Sequence, residues 1–322
     1  MKKIAFITGI NGQDGAYLSE LLLKKGYQVF GLAKPKSDLT NLAYLGVKNK
    51  VKLFFGDIRS EKYLTKIIRK IKPQEIYNFA AHSFVADSWQ NVKTVNEVNY
   101  FGVINLLNAI RAANPKVRFY QASTSEMFGT SHINGLQTED TPFHPLSPYA
   151  ISKLAAYGIV NNYRDTYGLF AANGICFNHE SPLRGTRFVT RKISLGVARI
   201  AAGLQKNIRL GNLDSVRDWG FAGDYVKAMW LMLQGSKPDN YIISTGKNHT
   251  VKDVLRIAFN YVGIKNWQDY VVIDKKFQRP LELKRLIGSN SKARRILGWK
   301  PQVRFKKLIE MMVKADLERI KS

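Results

Sequence analysis

Ile4-Ala5-Phe6-Ile7-Thr8 runs into Gly9-Ile10-Asn11-Gly12-Gln13-Asp14-Gly15, and a helical pattern over 16–25 follows, with Leu18, Leu21 and Leu22 on one side and Gly26 as its stop. A β-rich run that enters spaced glycines and then a helix is the order a dinucleotide-binding turn requires. One glycine permits the tight turn, a missing side chain lets a pyrophosphate approach the main chain, and a third glycine lets helix pack on strand. The helix N-terminus then faces the phosphates with free N–H groups and the positive end of its dipole. Gly9, Gly12 and Gly15, with Gln13 and Asp14 between them, are therefore expected to bind a cofactor.

The same alternation continues downstream. Runs over 28–33, 51–55, 76–81 and 117–122 read as strands, and 61–71 reads as a helix ended by Pro73. Strands alternating with helices imply parallel pairing through crossovers, hence an α/β fold with a doubly wound, Rossmann-like sheet and ligands beyond the carboxyl ends of its strands. After about residue 178 the pattern loosens, with helical stretches over 222–234, 251–262 and 305–319. The expected organisation is a dinucleotide-binding domain over 1–178 that carries the catalytic residues. A smaller C-terminal α/β lobe over 179–322 would hold the substrate, with some segments returning to the first domain.

An NAD site places an acidic residue at the tip of the second strand. Here that strand runs Phe30-Gly31-Leu32-Ala33 into Lys34-Pro35-Lys36-Ser37, with no carboxylate at the tip, which suits a 2′-phosphate and hence NADP. Asp57 and Ile58 after the third strand are expected at the adenine edge. Phe79, Ala80, Ala81 and Ser83 after the fourth leave room for the cofactor backbone.

Tyr149 and Lys153 form Tyr-x-x-x-Lys, as do Tyr44/Lys48 and Tyr261/Lys265. Context separates them. Ser147-Pro148 reads as a cap and first helical turn, so Tyr149 and Lys153 share a face, and they follow Ser123-Thr124-Ser125-Glu126 at the end of the fifth strand. A lysine ammonium beside the phenol is expected to lower its pKa, so that it acts as a base near neutral pH.

Gln121-Ala122-Ser123-Thr124-Ser125-Glu126-Met127-Phe128-Gly129, Ser147-Pro148-Tyr149-Ala150, Phe177-Asn178-His179-Glu180-Ser181-Pro182, Phe188-Val189-Thr190-Arg191-Lys192, Leu210-Gly211-Asn212-Leu213-Asp214, Arg217-Asp218-Trp219-Gly220 and Arg279-Pro280-Leu281-Glu282 resemble the GDP-mannose 4,6-dehydratase family of extended short-chain dehydrogenases/reductases. The similarity runs over 7–316. The resemblance implies a reaction and roles for named residues. Thr124 would bind the sugar 4-hydroxyl and Tyr149 would remove its proton as hydride leaves C4. Glu126 would take the C5 proton and assist loss of the 6-hydroxyl as water, and hydride would return to C6. His179 and Arg184 would lie by the nicotinamide, while Arg191, Lys192, Arg217 and Arg279 would suit a diphosphate. Asn178 and Glu282 would read hydroxyls or the base, and Ser83, Ser125, Val189 and Leu210 would line the substrate site.

Two departures stand out. The family usually carries an arginine pair and a serine-rich stretch where this chain has Lys34-Pro35-Lys36-Ser37-Asp38, and Leu183 stands where an arginine is frequent. Since that loop joins family dimers, a homodimer and a homotetramer are both open. The nearest rival activities are a GDP-manno-heptose 4,6-dehydratase and a GDP-4-keto-6-deoxymannose reductase. A non-catalytic NADP-sensing or nucleic-acid-binding protein is the rival from another class, and it predicts a broken Tyr/Lys/Thr set.

Composition sets outer bounds. Fifty Lys and Arg against 24 Asp and Glu give a net charge of +26. The excess is spread along the chain and no basic tract carries interleaved aromatics, so it reads as a solvated surface that draws in small polyanions, not as a specific nucleic-acid site. With Cys176 as the single cysteine and no apolar stretch long enough for a bilayer, a cytoplasmic enzyme with no membrane partner is expected. His179 has no neighbouring ligands at metal-binding spacing, so no metal is expected.

Overall fold

The computed structural model describes residues 2–131, 135–277 and 285–321. In chain order the elements begin with β1 Ile4–Thr8, α1 Gln13–Lys24, β2 Gln28–Ala33, α2 Thr40–Tyr44, β3 Lys52–Phe55, α3 Glu61–Ile71 and β4 Glu75–Asn78. α4 Val92–Asn96, a π-helical turn Glu97–Phe101, α5 Gly102–Ala113, β5 Arg118–Thr124, α6 Pro148–Tyr167 and β6 Ala171–Cys176 follow. Then come β7 Asn178–Glu180, α7 Val189–Ala201, β8 Ile208–Leu210, β9 Val216–Arg217, β10 Trp219–Phe221, α8 Ala222–Met232 and β11 Asn240–Ile243. The chain closes with β12 His249–Thr250, α9 Val251–Tyr261, β13 Val271–Ile273, β14 Arg285–Leu286, α10 Ser291–Leu297 and α11 Phe305–Lys321.

Seven strands form one sheet in the order β11-β6-β5-β4-β1-β2-β3, parallel throughout. The chain winds one way from β1 through β2 to β3 and the other way from β4 outward. The crevice between β1 and β4 is thus the topological switch point, where ligands bind in such sheets.

Alternation along β1 fixes the two layers. Ala5 and Ile7 face one side, with Leu18 and Leu22 of α1 and Val226 and Met229 of α8. Phe6 faces the other, with Leu64 and Ile68 of α3, Leu106 and Ile110 of α5 and Val160 of α6. A third apolar cluster joins α7, α9 and α11 through Val197, Leu255 and Met312.

The structure departs from the sequence reading in three informative places. α1 starts at Gln13, ahead of 16, because Gly12 is itself the extended N-cap residue. β4 stops at Asn78, ahead of 81; Phe79 N still donates to Thr8 O (3.1 Å), and Ala80 and Ala81 follow half-buried beyond the strand. The crossover from β4 to β5, which the sequence reading left unassigned, is α4, the π-helical turn and α5.

Candidate active site

Gly9 ends β1 at φ +68°, and a Cβ there would lie 2.8 Å from Ala80 N and from the Phe79 carbonyl carbon. Only glycine lets the two strand ends meet. At Gly15 a Cβ would lie 2.6 Å from Gly9 O. Gly12 caps α1 without a side-chain hydrogen bond, so the first-turn N–H groups keep their donors for a ligand. This cradle fits a dinucleotide pyrophosphate. Asn11 Nδ2 donates to Asp38 O (3.2 Å), and Asn41 Nδ2 donates to Asn11 O (3.0 Å), which pins the loop beginning at Lys34 onto the glycine turn.

Asp57 accepts from Arg59 N (2.9 Å), Nε (3.0 Å) and Nη2 (2.9 Å). Burial alone would raise this carboxyl, but those bonds and the charges of Arg59 and Lys34 hold it below its ordinary value. Lys34 is therefore close enough to act electrostatically on the end of β3. The Ile58 side chain belongs to the core, Phe79 packs on Tyr120, Ala80 and Ala81 line the crevice half-buried, and Ser83 is exposed.

The residues expected to be catalytic converge at the end of β5. Thr124 lies close enough to the Tyr149 phenol to pull its pKa down, and its Oγ1 accepts from Glu126 N (3.3 Å), capping the short 3-10 turn Ser125–Phe128. Thr124 thus stands between Tyr149 and the turn that carries Glu126. Ser125 is almost fully buried in that turn. Ser147 Oγ accepts from Ala150 N (3.1 Å) as the N-cap of α6, and Pro148 opens the helix, so Tyr149 and Lys153 sit where the cap predicted.

The electrostatics differ from expectation. Burial pushes the Tyr149 phenol up to about 12, and Glu126 adds to this. Thr124 and the Arg184 charge pull it down. Lys153 Nζ instead donates to Ala122 O (2.8 Å), and burial brings its ammonium down to about 8.

The segment after β6 closes over α1. His179 Nε2 lies 2.9 Å from Asp14 Oδ2, and Nδ1 lies 2.8 Å from Phe177 O. Gln13 Nε2 donates to His179 O (3.1 Å), and Ser181 Oγ donates to Gln13 Oε1 (2.7 Å). Arg184 stacks 3.6 Å over Phe188, and its Nε lies 3.1 Å from Glu180 Oε2, near enough for ionic attraction but not aimed for a hydrogen bond.

Matches to known proteins fit this arrangement. The GDP-mannose 4,6 dehydratase family matches over residues 6–312. GDP-mannose 4,6 dehydratase 1 of Arabidopsis thaliana is 50% identical, with 99% of this chain and 91% of that protein covered. The chain belongs to the GDP-mannose 4,6-dehydratase family. The Homo sapiens enzyme of that name is 43% identical, with 100% and 93% covered. Among solved structures, DesIV (dTDP-glucose 4,6-dehydratase) from Streptomyces venezuelae with NAD and TYD bound superposes with a TM-score of 0.86 at 28% identity, over 99% of this chain and 98% of that one.

Within this family member, the residues expected on the substrate are placed unequally. Arg191 is held within the protein: its guanidinium is bidentate on Asp316, Nε at 3.0 Å with Nη2 on the other oxygen, while Nη1 donates to Arg184 O (3.3 Å). Leu210 likewise points into the core of the lobe. Val189 opens α7, Lys192 Nζ sits 3.3 Å over the Phe277 ring, and Asn178 pairs with Trp219 between β7 and β10. Arg217 is buried in β9 and donates to Val216 O (2.9 Å). Arg279 and Glu282 lie outside the described residues.

The sequence reading missed Asn99 and Ser152. Asn99 in the π-helical turn accepts from His82 N (2.8 Å) and donates to Ser152 Oγ (3.1 Å), which donates to Tyr149 O (2.7 Å). The one sequence signal was a serine inside the Tyr149–Lys153 interval; nothing in the sequence marked Asn99. Among the described residues no group of three or more His, Cys, Asp or Glu could hold a metal, and no helix is long and apolar enough to cross a membrane.

Proposed function

We propose that this chain is a hydro-lyase that converts GDP-mannose to GDP-4-keto-6-deoxymannose with NADP at the glycine turn. The observation that carries the proposal is the placement of Thr124, which lies close enough to the Tyr149 phenol to act on it and caps the turn of Glu126. That placement sets a base for oxidation beside a base for elimination, which a plain ketoreductase has no use for. Thr124 holds the sugar 4-hydroxyl, and Tyr149 accepts its proton as the phenolate, a form that the positive ring of a bound nicotinamide would favour against the burial that opposes it. Glu126 then takes the C5 proton and returns one to the departing 6-hydroxyl. A nicotinamide cofactor, when bound, supplies the hydride acceptor at C4 and the hydride donor at C6.

The preference for NADP rests on Ala33 at the tip of β2, where an NAD site carries an acid, and on Lys34 beside it. Gly9, Gly12, Gln13, Asp14 and Gly15 form the pyrophosphate side of this reading, and residues 179–322 mainly the sugar-nucleotide side. A homodimer, or a pair of them, is part of it. Val92, Phe101, Ile151 and Tyr167 are exposed on α4–α6 and its π-helical turn, and a Cβ at Gly158 would meet open space.

The test is incubation with GDP-mannose and NADP. The product should weigh one water less, without lasting NADPH absorbance. Stoichiometric accumulation of NADPH would mark a simple dehydrogenase instead.

A further inference from the structure

His179 is gripped at both ring nitrogens by groups that have no proton to give. Asp14 Oδ2 stands 2.9 Å from Nε2 and Phe177 O stands 2.8 Å from Nδ1. A neutral imidazole carries one N–H, so one of these buried contacts would set lone pair against lone pair. Leaving a buried acceptor so opposed is costly, and two donors satisfy both. The ring also lies against Tyr225, centroids 4.8 Å apart at 23°, where an aromatic face favours a cation.

We propose that His179 is an imidazolium and that Asp14 is the positioning residue that keeps it one, so that the pair presents a neutralised carboxylate and a held cation to the dinucleotide phosphates. The glycine turn alone points Asp14 at the cofactor, and the resemblance implies that His179 lies by the nicotinamide. In the structure one Asp14 carboxylate oxygen meets the His179 ring, on a residue 165 positions later. Gln13 Nε2 steadies the other carboxylate oxygen at 3.2 Å and reaches the His179 carbonyl, so the helix start and the segment after β6 are locked as one unit. A bare carboxylate in this place would repel a diphosphate, and the imidazolium cancels it.

The groups that act on the ring are few. Asp14 on α1 favours its charge. Arg184 opposes it, and Glu180 attracts that guanidinium at 3.1 Å; Tyr225 on α8 contributes only its ring face. Burial alone would pull His179 down, yet the charge and hydrogen bond of Asp14 leave it raised above its ordinary value, consistent with the geometry.

The phosphate part of this inference rests on the dinucleotide reading of the glycine turn; the protonation state does not. The experiment is nitrogen-15 NMR of the imidazole rings in the full chain without ligand, with His179→Gln supplying the assignment. Both His179 nitrogens should be protonated at pH 7.5. In Asp14→Asn, which keeps an acceptor but loses the charge, the midpoint should fall by about 1–3 pH units. NADP affinity measured by calorimetry should weaken above the His179 midpoint, and in Asp14→Asn that weakening should move to lower pH in step with the ring. The ligand's own ionisation is common to both proteins and cancels. One unprotonated ring nitrogen in the wild type at pH 7.5, or an unmoved midpoint in Asp14→Asn, overturns the proposal. An affinity profile that stays put while the ring moves overturns its phosphate part. Failure of the protein to dehydrate GDP-mannose would leave the ring result standing, and would count against the activity alone.

Discussion

Arg191 of α7 is closed on Asp316 of α11, both nearly or fully buried, in a bidentate pair that Ser194 Oγ (2.7 Å) and Arg319 Nη1 (3.0 Å) complete. Such a pair locks the C-terminal helix to the helix that begins beside Phe188. Removing one partner strands the other charge out of water, which costs about 3–5 kcal/mol. Asp316→Asn and Arg191→Met should each lower the melting temperature sharply, with nucleotide-sugar affinity changed little in the folded fraction. A normal melting curve with greatly weakened GDP-mannose binding would return Arg191 to the diphosphate.

That pair shows where sequence reading stops. Its members are 125 positions apart, and nothing near Arg191 distinguishes a guanidinium aimed at a phosphate from one aimed at a carboxylate. The glycine turn and the Ser147-Pro148-Tyr149 start were legible because their chemistry is local: backbone freedom at Gly9, a cap three residues from its N–H partner. The helix over 92–113 stayed hidden because Asn96, Asn99, Asn105 and Asn108 blur its apolar stripe and a π-helical turn shifts its phase. The raised Tyr149 phenol was hidden too, since burial is a property of the assembled site.

Cofactor choice is predicted to turn on Lys34. With Ala33 at the strand tip and Lys34 next, NADP should bind more tightly than NAD. Lys34→Ala should cost NADP about 1–3 kcal/mol and leave NAD nearly unchanged. Calorimetric titration of both cofactors checks this, and equal native affinities would sink it.

Gly9 tests the cradle. Gly9→Ala would drive a methyl to 2.8 Å from the main chain at Phe79 and Ala80, at a φ of +68° that disfavours a side chain. Neither neighbour is a flexible tip that can yield. Stability should fall by more than the roughly 1 kcal/mol typical of point changes, and dinucleotide binding should be lost from the fraction that folds. A variant with native melting temperature and native affinity would show that β1 and β4 do not meet here.

Asp218 offers a pH signature. It accepts from Thr245 N (2.9 Å) and Gly246 N (2.8 Å), yet burial pushes its carboxyl up to about 6. A folded value above the unfolded one means that the native state holds the proton longer. Stability from this group is therefore full below the ordinary value of 3.8 and is lost as pH rises to about 6. The loss is on the order of 3 kcal/mol. Urea denaturation between pH 4 and 7 should show this fall in the native protein and not in Asp218→Asn, whose amide stands in for the protonated acid. Parallel curves for the two proteins would contradict the raised carboxyl.

Glu126 separates the two halves of the reaction. In the proposed reaction Tyr149 serves oxidation, so Tyr149→Phe should abolish every step, C4 hydride transfer included. Glu126→Gln preserves the shape and leaves the backbone N–H that Thr124 accepts from, but the amide cannot receive the C5 proton. Loss of a general base typically costs 10²- to 10⁴-fold. Turnover should collapse by that factor while a single turnover still reduces bound NADP, and C5 exchange with heavy water should vanish. If Glu126 only supported its buried turn, the same variant would melt early and keep its rate when folded. Single-turnover absorbance, product mass and a melting curve on one preparation separate these outcomes. A well-folded Glu126→Gln enzyme dehydrating GDP-mannose at the native rate would leave the C5 proton without its assigned acceptor.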